Sequence, residues 1–233
     1  MKGKESVVME FLFDSANLEA IEKYSAYFPI TGVTSNPSIL KAEGKIDLFS
    51  HMRKIRQIIG PEKTLHMQVI AEDCEGILKE ARAILKNVDD LVYIKVPTTE
   101  EGLKAMRALK AEGVHVTATA IYSKIQGFMA IACGADFIAP YYNRMENLDI
   151  DSCDTIAAFR QMIDENDSET KILAASFKNI AQVTNALMAG AHTATLQPSL
   201  LHEAFGMAAI KKAVDDFHAD WVKIQGEVSI AEL

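Results

Sequence analysis

The strongest constraint on this 233-residue chain is a pattern that repeats eight times. Short β-branched or apolar runs occur at Glu10 to Phe13, Thr31 to Thr34, Leu65 to Ile70, Leu91 to Val96, Val114 to Ala120, Phe137 to Pro140, Lys171 to Ala175 and Thr193 to Leu196. Segments with helical periodicity lie between them. Asp14-Ser15 precedes a helix from about Asn17 to Tyr27, stopped by Pro29. Asn36-Pro37 opens another, whose apolar stripe of Ile39, Leu40, Leu48, Met52, Ile55 and Ile59 runs on to Gly60. Thr98 or Thr99 can cap a helix ending at Gly113, and Ile180 to Met188 is followed by Gly190. Small polar residues before a helix and glycine after it satisfy the backbone groups left free at its ends. Strands that alternate with helices are parallel, because a parallel connection needs a crossover. Eight such units predict a closed (β/α)₈ (TIM) barrel. An open doubly wound sheet shares this periodicity. Its nucleotide-binding versions are disfavoured, since no Gly-x-Gly-x-x-Gly follows the first strand and no phosphate-loop motif occurs.

Dividing the chain by eight leaves about 29 residues per unit, a little under the ~250 residues of a typical barrel. Nothing then remains for a second domain. Residues 9–233 read as one α/β barrel with an extended C-terminal helix, and residues 1–8 as an N-terminal extension or tag-like segment. That helix, Pro198 to Gln225, is longer than a crossover requires, and it carries Phe217, Trp221 and Ile224 at i, i+4 and i+7. It either folds back as the eighth helix or offers an association surface.

Charge and cysteine usage narrow the functional classes. The formal net charge of −8 repels DNA and RNA, so no nucleic-acid partner is expected, while a local pocket can still accept a small anion. Cys74, Cys133 and Cys153 are odd in number and form no Cys-x-x-Cys, which fits reduced thiols in the cytoplasm. No run approaches the ~18 apolar residues of a membrane span, and Met1 to Val8 lacks the apolar region of a signal peptide.

Polarity falls at one relative place along the strands. Asp14 ends the first strand; Thr34, Ser35 and Asn36 end the second; Gln68 lies late in the third. Lys95 sits inside the fourth, Thr119 ends the fifth, Tyr141, Asn143 and Arg144 follow the sixth, and Ser176 and Lys178 follow the seventh. In a barrel these positions converge at the carboxyl end, where active sites are built. Taken singly, each has a structural reading: a helix cap for Asp14, β-propensity for Thr34 or Thr119, a solvated charge for Arg144. Seven strands sharing the feature carry the inference.

Lys95 is the sharpest signal, one ammonium within Leu91-Val92-Tyr93-Ile94-Lys95-Val96-Pro97. An unpaired charge in an apolar strand is costly, and an amine with a depressed pKa can attack a carbonyl. The alternative is a lysine on an edge strand reaching solvent, and a closed barrel has no edge. Arg144, Ser176 and Lys178 suit a phosphate, with a bidentate fork, a hydroxyl and a charge. No metal site is expected, because the six histidines show no paired spacing. His66 shares a strand face with Gln68 and reads as a partly buried, hydrogen-bonded side chain. No Gly-x-Ser-x-Gly occurs, which disfavours a serine hydrolase.

Seven segments carry a family resemblance. They are Phe13-Asp14, Gly32-Val33-Thr34-Ser35-Asn36-Pro37-Ser38, Gln68-Val69, Ile94-Lys95-Val96-Pro97, Thr119-Ala120-Ile121-Tyr122, Ala139-Pro140-Tyr141 with Asn143-Arg144, and Ala174-Ala175-Ser176-Phe177-Lys178. From Met9 to about Trp221 the chain resembles the small-subunit transaldolase family, most closely its fructose-6-phosphate aldolase branch. The resemblance implies a barrel and a metal-free class I aldolase mechanism with no cofactor, acting on a phosphorylated sugar. By it Lys95 forms the Schiff base, Asp14 and Asn36 hold substrate hydroxyls, and Arg144 and Ser176 bind phosphate with Lys178 helping. It also implies a homo-oligomer, a pentamer or decamer, with the C-terminal helix reaching a neighbour. Gln68 and Tyr141 match the aldolase branch, where transaldolases usually carry Glu and Phe. Transaldolase is the alternative activity, and a non-catalytic sugar-phosphate-binding barrel is the alternative of another class. Two departures are Ser35, where a second Thr is common and the hydroxyl survives, and Tyr142, which is bulkier than the usual small aliphatic residue.

Overall fold

The computed structural model describes residues 9–233. The 1–8 segment expected as an extension lies outside the described residues. Parallel strands run in chain order around a closed barrel: β1 (Glu10–Asp14), β2 (Gly32–Thr34), β3 (Thr64–Gln68), β4 (Tyr93–Pro97), β5 (Val116–Ile121), β6 (Phe137–Pro140), β7 (Lys171–Ala174) and β8 (Thr193–Leu196). All eight fall on the expected runs. Pairing of β1 with β8, from Glu10 beside Thr193 to Phe13 beside Leu196, closes the sheet and removes the open-sheet alternative.

The helices are α1 (Leu18–Ser25), α2 (Pro37–Ala42), α3 (Leu48–Ile59), α4 (Cys74–Asn87), α5 (Glu100–Ala111), α6 (Lys124–Ala132), α7 (Tyr142–Glu146), α8 (Ser152–Glu165), α9 (Ile180–Met188), α10 (Pro198–Phe205) and α11 (Ala208–Gln225). Their starts follow cap chemistry. Asn17 accepts from the Ala20 N–H, Asn36 from the Ile39 N–H, and Thr99 rather than Thr98 caps α5.

Two expected helices are each broken in two. The stripe from Ile39 to Ile59 is interrupted where Gly44 takes a left-handed φ of 74°, and Asp47 then caps α3. At the C-terminus α10 ends at Gly206, Met207 is extended, and α11 starts afresh. Apolar periodicity runs across both breaks, so the pattern by itself does not reveal them.

Period-two alternation separates two apolar regions. Residues such as Phe13, Val33, Leu65, Ile94, Ala118 and Ile138 face the helices and form the main core. Leu12, Phe137 and Leu173, with Tyr93 against them, come from β1, β6, β7 and β4 and form a separate cluster inside the barrel. Gly102 illustrates how tightly a helix seats on the sheet: a Cβ there would lie 1.9 Å from the carbonyl oxygen of Pro97, the end of the lysine-bearing strand. No helix among the described residues is long and apolar enough to cross a membrane.

Candidate active site

The alternation that places the inner cluster also sets the residues beyond it. Lys95 lies two positions beyond Tyr93, Gln68 two beyond His66, Asp14 two beyond Leu12, and Thr119 two beyond Thr117. Register places Gln68 beside Lys95 and Asp14 beside Thr34. All therefore point inward near the carboxyl ends of the strands, where one cavity of about 340 Å³ opens. Asp14, Asn36, Gln68, Lys95, Tyr141 and Arg144 line it.

Lys95 is 4% exposed, and its Nζ donates to the Ser35 carbonyl oxygen at 3.0 Å. It does not reach solvent as an edge lysine would. Burial pulls its pKa below the ordinary lysine value, with the Asp14 charge acting the other way. Asp14 is raised, again chiefly by burial, against the opposing effects of Lys95, the Thr34 hydrogen bond and Arg144. Both shifts have one cause, removal from water, and both favour the uncharged form. Thr34 donates to Asp14 Oδ1 at 2.7 Å and shares a 2.7 Å hydrogen bond with Thr195.

On β5 and just past the end of neighbouring β6, the Thr119 and Tyr141 hydroxyls are 3.0 Å apart. Burial raises the phenol of Tyr141, while the Thr119 bond and the Arg144 charge lower it. Gln68 Oε1 is buried and takes no hydrogen bond among the described residues. Arg144 stacks on the Tyr141 ring, 4.8 Å from its centroid, and donates from Nη1 to the Tyr122 hydroxyl at 3.1 Å. Ser176 adopts a left-handed φ of 65° at the exit of β7, a conformation that costs a non-glycine residue roughly 1–3 kcal/mol.

A second lobe of about 480 Å³ shares Asp14, Asn36, Arg144 and Ser176 and adds Lys178 and Gln197. Asn36 holds the Ile39 N–H through Oδ1 and so caps α2 while facing the cavity. Three other expected residues sit differently. Thr34 and Ser35 are buried behind the lining, with Ser35 Oγ donating to the His66 carbonyl at 3.2 Å. Asn143 faces α9, where its Oδ1 accepts from Gln182 at 3.1 Å, and its N–H donates to the Ser176 carbonyl at 3.1 Å.

His66 is fully buried rather than partly so. It is held by Thr117 and Thr64 at 2.8 and 2.9 Å and stacks on Tyr93. Thr195, Gln197 and Tyr122 also line the two lobes and are not among the residues expected from strand-end polarity. Thr193-Ala194-Thr195-Leu196-Gln197 alternates polar and apolar residues, the signal that would have given the eighth strand its inward group. Tyr122 stands in the resembling segment Thr119-Ala120-Ile121-Tyr122, but strand alternation does not aim it inward, because its phase depends on an irregularity in β5.

Fold and cavity together define a (β/α)₈-barrel enzyme whose site combines a buried amine, a carboxyl, a tyrosine–threonine pair and an arginine fork. Comparison with known proteins specifies the class. A family model described as transaldolase/fructose-6-phosphate aldolase matches residues 11–228, and the chain belongs to that family. It is 54% identical to a probable fructose-6-phosphate aldolase of Streptococcus pneumoniae (strain ATCC 700669 / Spain 23F-1) over 222 residues, 95% of this chain and all of that protein. A cube-shaped, highly porous protein cage designed by fusing symmetric oligomeric domains is similar in structure. Its TM-score is 0.58 at 11% identity, over 92% of this chain and 78% of that one, a likeness of fold alone.

Proposed function

We propose that this protein is a class I aldolase that cleaves or forms fructose 6-phosphate from dihydroxyacetone and glyceraldehyde 3-phosphate. The observation that carries the reading is Lys95: an amine enclosed by a closed barrel, held at 3.0 Å from a backbone carbonyl and deprotonated more easily by burial. Lys95 adds to the C2 ketone, and loss of water gives an imine whose protonated form is an electron sink. Removal of the C4 hydroxyl proton then breaks the C3–C4 bond, and glyceraldehyde 3-phosphate leaves. The remaining enamine takes a proton at C3, and water hydrolyses the imine to release dihydroxyacetone and free Lys95.

Tyr141 is the proton relay in this scheme, oriented by Thr119 at 3.0 Å, with Gln68 supplying a buried acceptor for a relay water. Asp14 and Asn36 hold substrate hydroxyls. Arg144, Ser176 and Lys178 meet the phosphate, drawing an anion to one end of a chain of net charge −8. Thr34, Ser35 and Asn143 support these groups from behind.

Borohydride added with dihydroxyacetone should attach mass to one lysine, and Lys95→Met should abolish both the adduct and cleavage. An adduct mapped elsewhere, or a fully active Lys95→Met enzyme, overturns the proposal. Fructose 6-phosphate cleavage with and without erythrose 4-phosphate separates release of dihydroxyacetone from its transfer, the transaldolase reaction. Gln68, an amide where a carboxylate would hold the relay differently, favours release.

The same reading includes a homo-oligomer, a pentamer or decamer, in the cytoplasm. Supporting the assembly, α11 buries none of its residues in its own chain, and Ile210, Val214, Phe217 and Ile224 are exposed along one stripe. Light scattering on the full chain should give a multiple of 25.6 kDa, and truncation after Gly206 should weaken assembly; a monomeric mass for the full chain refutes it.

A further inference from the structure

The irregularity in β5 has a local cause and a directed result. Pairing with β6 is regular at Thr117 and Ala118, then shifts before Ile121. Within the shift Ala120 takes a left-handed φ of 57°, unfavourable for a residue with a Cβ. Without the bulge, Thr119 and Tyr122 would point to opposite sides of the sheet. With it, Thr119 bonds Tyr141 inside the mouth, Ile121 turns to the outer core instead of following Thr119 inward, and Tyr122 also lines the cavity.

One side chain locks this arrangement. Gln126 of α6 accepts through Oε1 from the Tyr122 N–H at 3.0 Å and from the Ser123 hydroxyl at 3.2 Å. Its Nε2 donates to the carbonyls of Thr98 at 3.1 Å and Ala120 at 3.4 Å, tying the exits of β4 and β5 together. Tyr122 then meets Arg144 through its hydroxyl at 3.1 Å and packs edge-on to Tyr141 at 5.6 Å. The guanidinium is thus held over one tyrosine ring by the hydroxyl of another.

We propose that Tyr122 is a positioning residue for anion binding: the strained bulge at Ala120, locked by Gln126, aims its hydroxyl at Arg144 and fixes the guanidinium toward the phosphate. This rests on the phosphate role proposed for Arg144. A long flexible side chain loses rotamer freedom when it binds, and fixing it beforehand lowers that cost. Tyr122 works only through Arg144, so its effect must follow the phosphate and leave the chemistry at Lys95 alone.

The test compares Tyr122→Phe, which keeps the ring and removes the hydroxyl, with the unaltered protein. KM for fructose 6-phosphate should rise about tenfold with kcat within about twofold, the size of one lost hydrogen bond to a charged group. The same change should not affect KM for aldol addition of dihydroxyacetone to unphosphorylated glyceraldehyde. Titration calorimetry with inorganic phosphate supplies a reading independent of turnover, and affinity should fall by a similar factor. Gln126→Leu, which leaves the hydroxyl in place and releases the bulge, should shift both measurements in the same direction, and it serves if Tyr122→Phe does not fold. Equal phosphate affinity in altered and unaltered protein, no measurable phosphate binding by the unaltered protein, or an equal KM rise for phosphorylated and unphosphorylated substrates overturns the inference. If the unaltered protein binds phosphate but does not cleave fructose 6-phosphate, the proposed aldolase activity fails while the positioning role is still read by calorimetry.

Discussion

Tyr141 and Lys95 line one cavity, and the proposed chemistry divides between them. Removing the Tyr141 hydroxyl leaves the amine, the carboxyl and the arginine in place, so substrate should still bind and form an imine. Tyr141→Phe should lower kcat for cleavage by about 10²–10³-fold, the usual contribution of a positioned proton-transfer group, with KM little changed. Steady-state kinetics with fructose 6-phosphate reads this split, and undiminished turnover removes Tyr141 from the proton path. At this scale Lys95 was the most legible residue, because one charge inside an apolar strand has few structural explanations once the barrel closes. Asn143 was the least legible. Its position after β6 matched the other site residues, yet the first turn of α7 carries its amide to Gln182 instead.

Each element was easier to locate than to delimit. All eight strands stand on the apolar runs expected of them, since two-residue periodicity is local information. The breaks after α2 and α10 depend on single backbone conformations near Gly44 and Gly206, which apolar spacing does not encode. Gly102 offers a test of how closely one element seats on another. A methyl group there would press on a backbone oxygen that cannot swing aside, so Gly102→Ala should cost about 1–3 kcal/mol by overpacking. Denaturant unfolding measures it. A midpoint no lower than that of the unaltered protein would show that α5 can lift from β4 freely. Because Pro97 ends the lysine-bearing strand, activity should fall along with stability.

Across the whole molecule one buried histidine, His66, and one half-buried histidine, His192, link stability to pH. Burial lowers His66 well below the ordinary histidine value, with Lys95, Arg56 and His115 adding to the effect. Burial also lowers His192, to about 4, where its Nδ1 accepts the Ile172 N–H at 3.0 Å. An unfolded chain protonates both near 6.5, whereas the folded chain protonates them only at lower pH. The contribution of these two histidines is therefore full above about pH 7 and falls as pH drops through the window below 6.5. One fully withheld proton corresponds to about 1.4 kcal/mol per pH unit, and the partly exposed His192 contributes less than that. Melting temperature should drop between about pH 7 and pH 5, before most carboxylates titrate. A flat profile over that range contradicts the lowered pKa values of the two rings.

What the sequence determined by itself was the number of strands, their alternation with helices, and the phase of each side chain on its own strand. Polarity at the carboxyl ends of the strands marks Lys95, Gln68, Thr119 and Asp14 as candidate residues from the sequence alone. Only the tertiary structure decided which of them meet. Closure brings Thr34 to Thr195, 161 positions apart, and sets Asp14 near both Lys95 and Arg144. The bulge at Ala120 turns Tyr122 inward against the ordinary alternation, and the turn into α7 carries Asn143 to Gln182. The reason is physical. Periodicity reports a residue's direction relative to its own backbone, whereas an active site is made where backbones distant in the chain are closed around one interior.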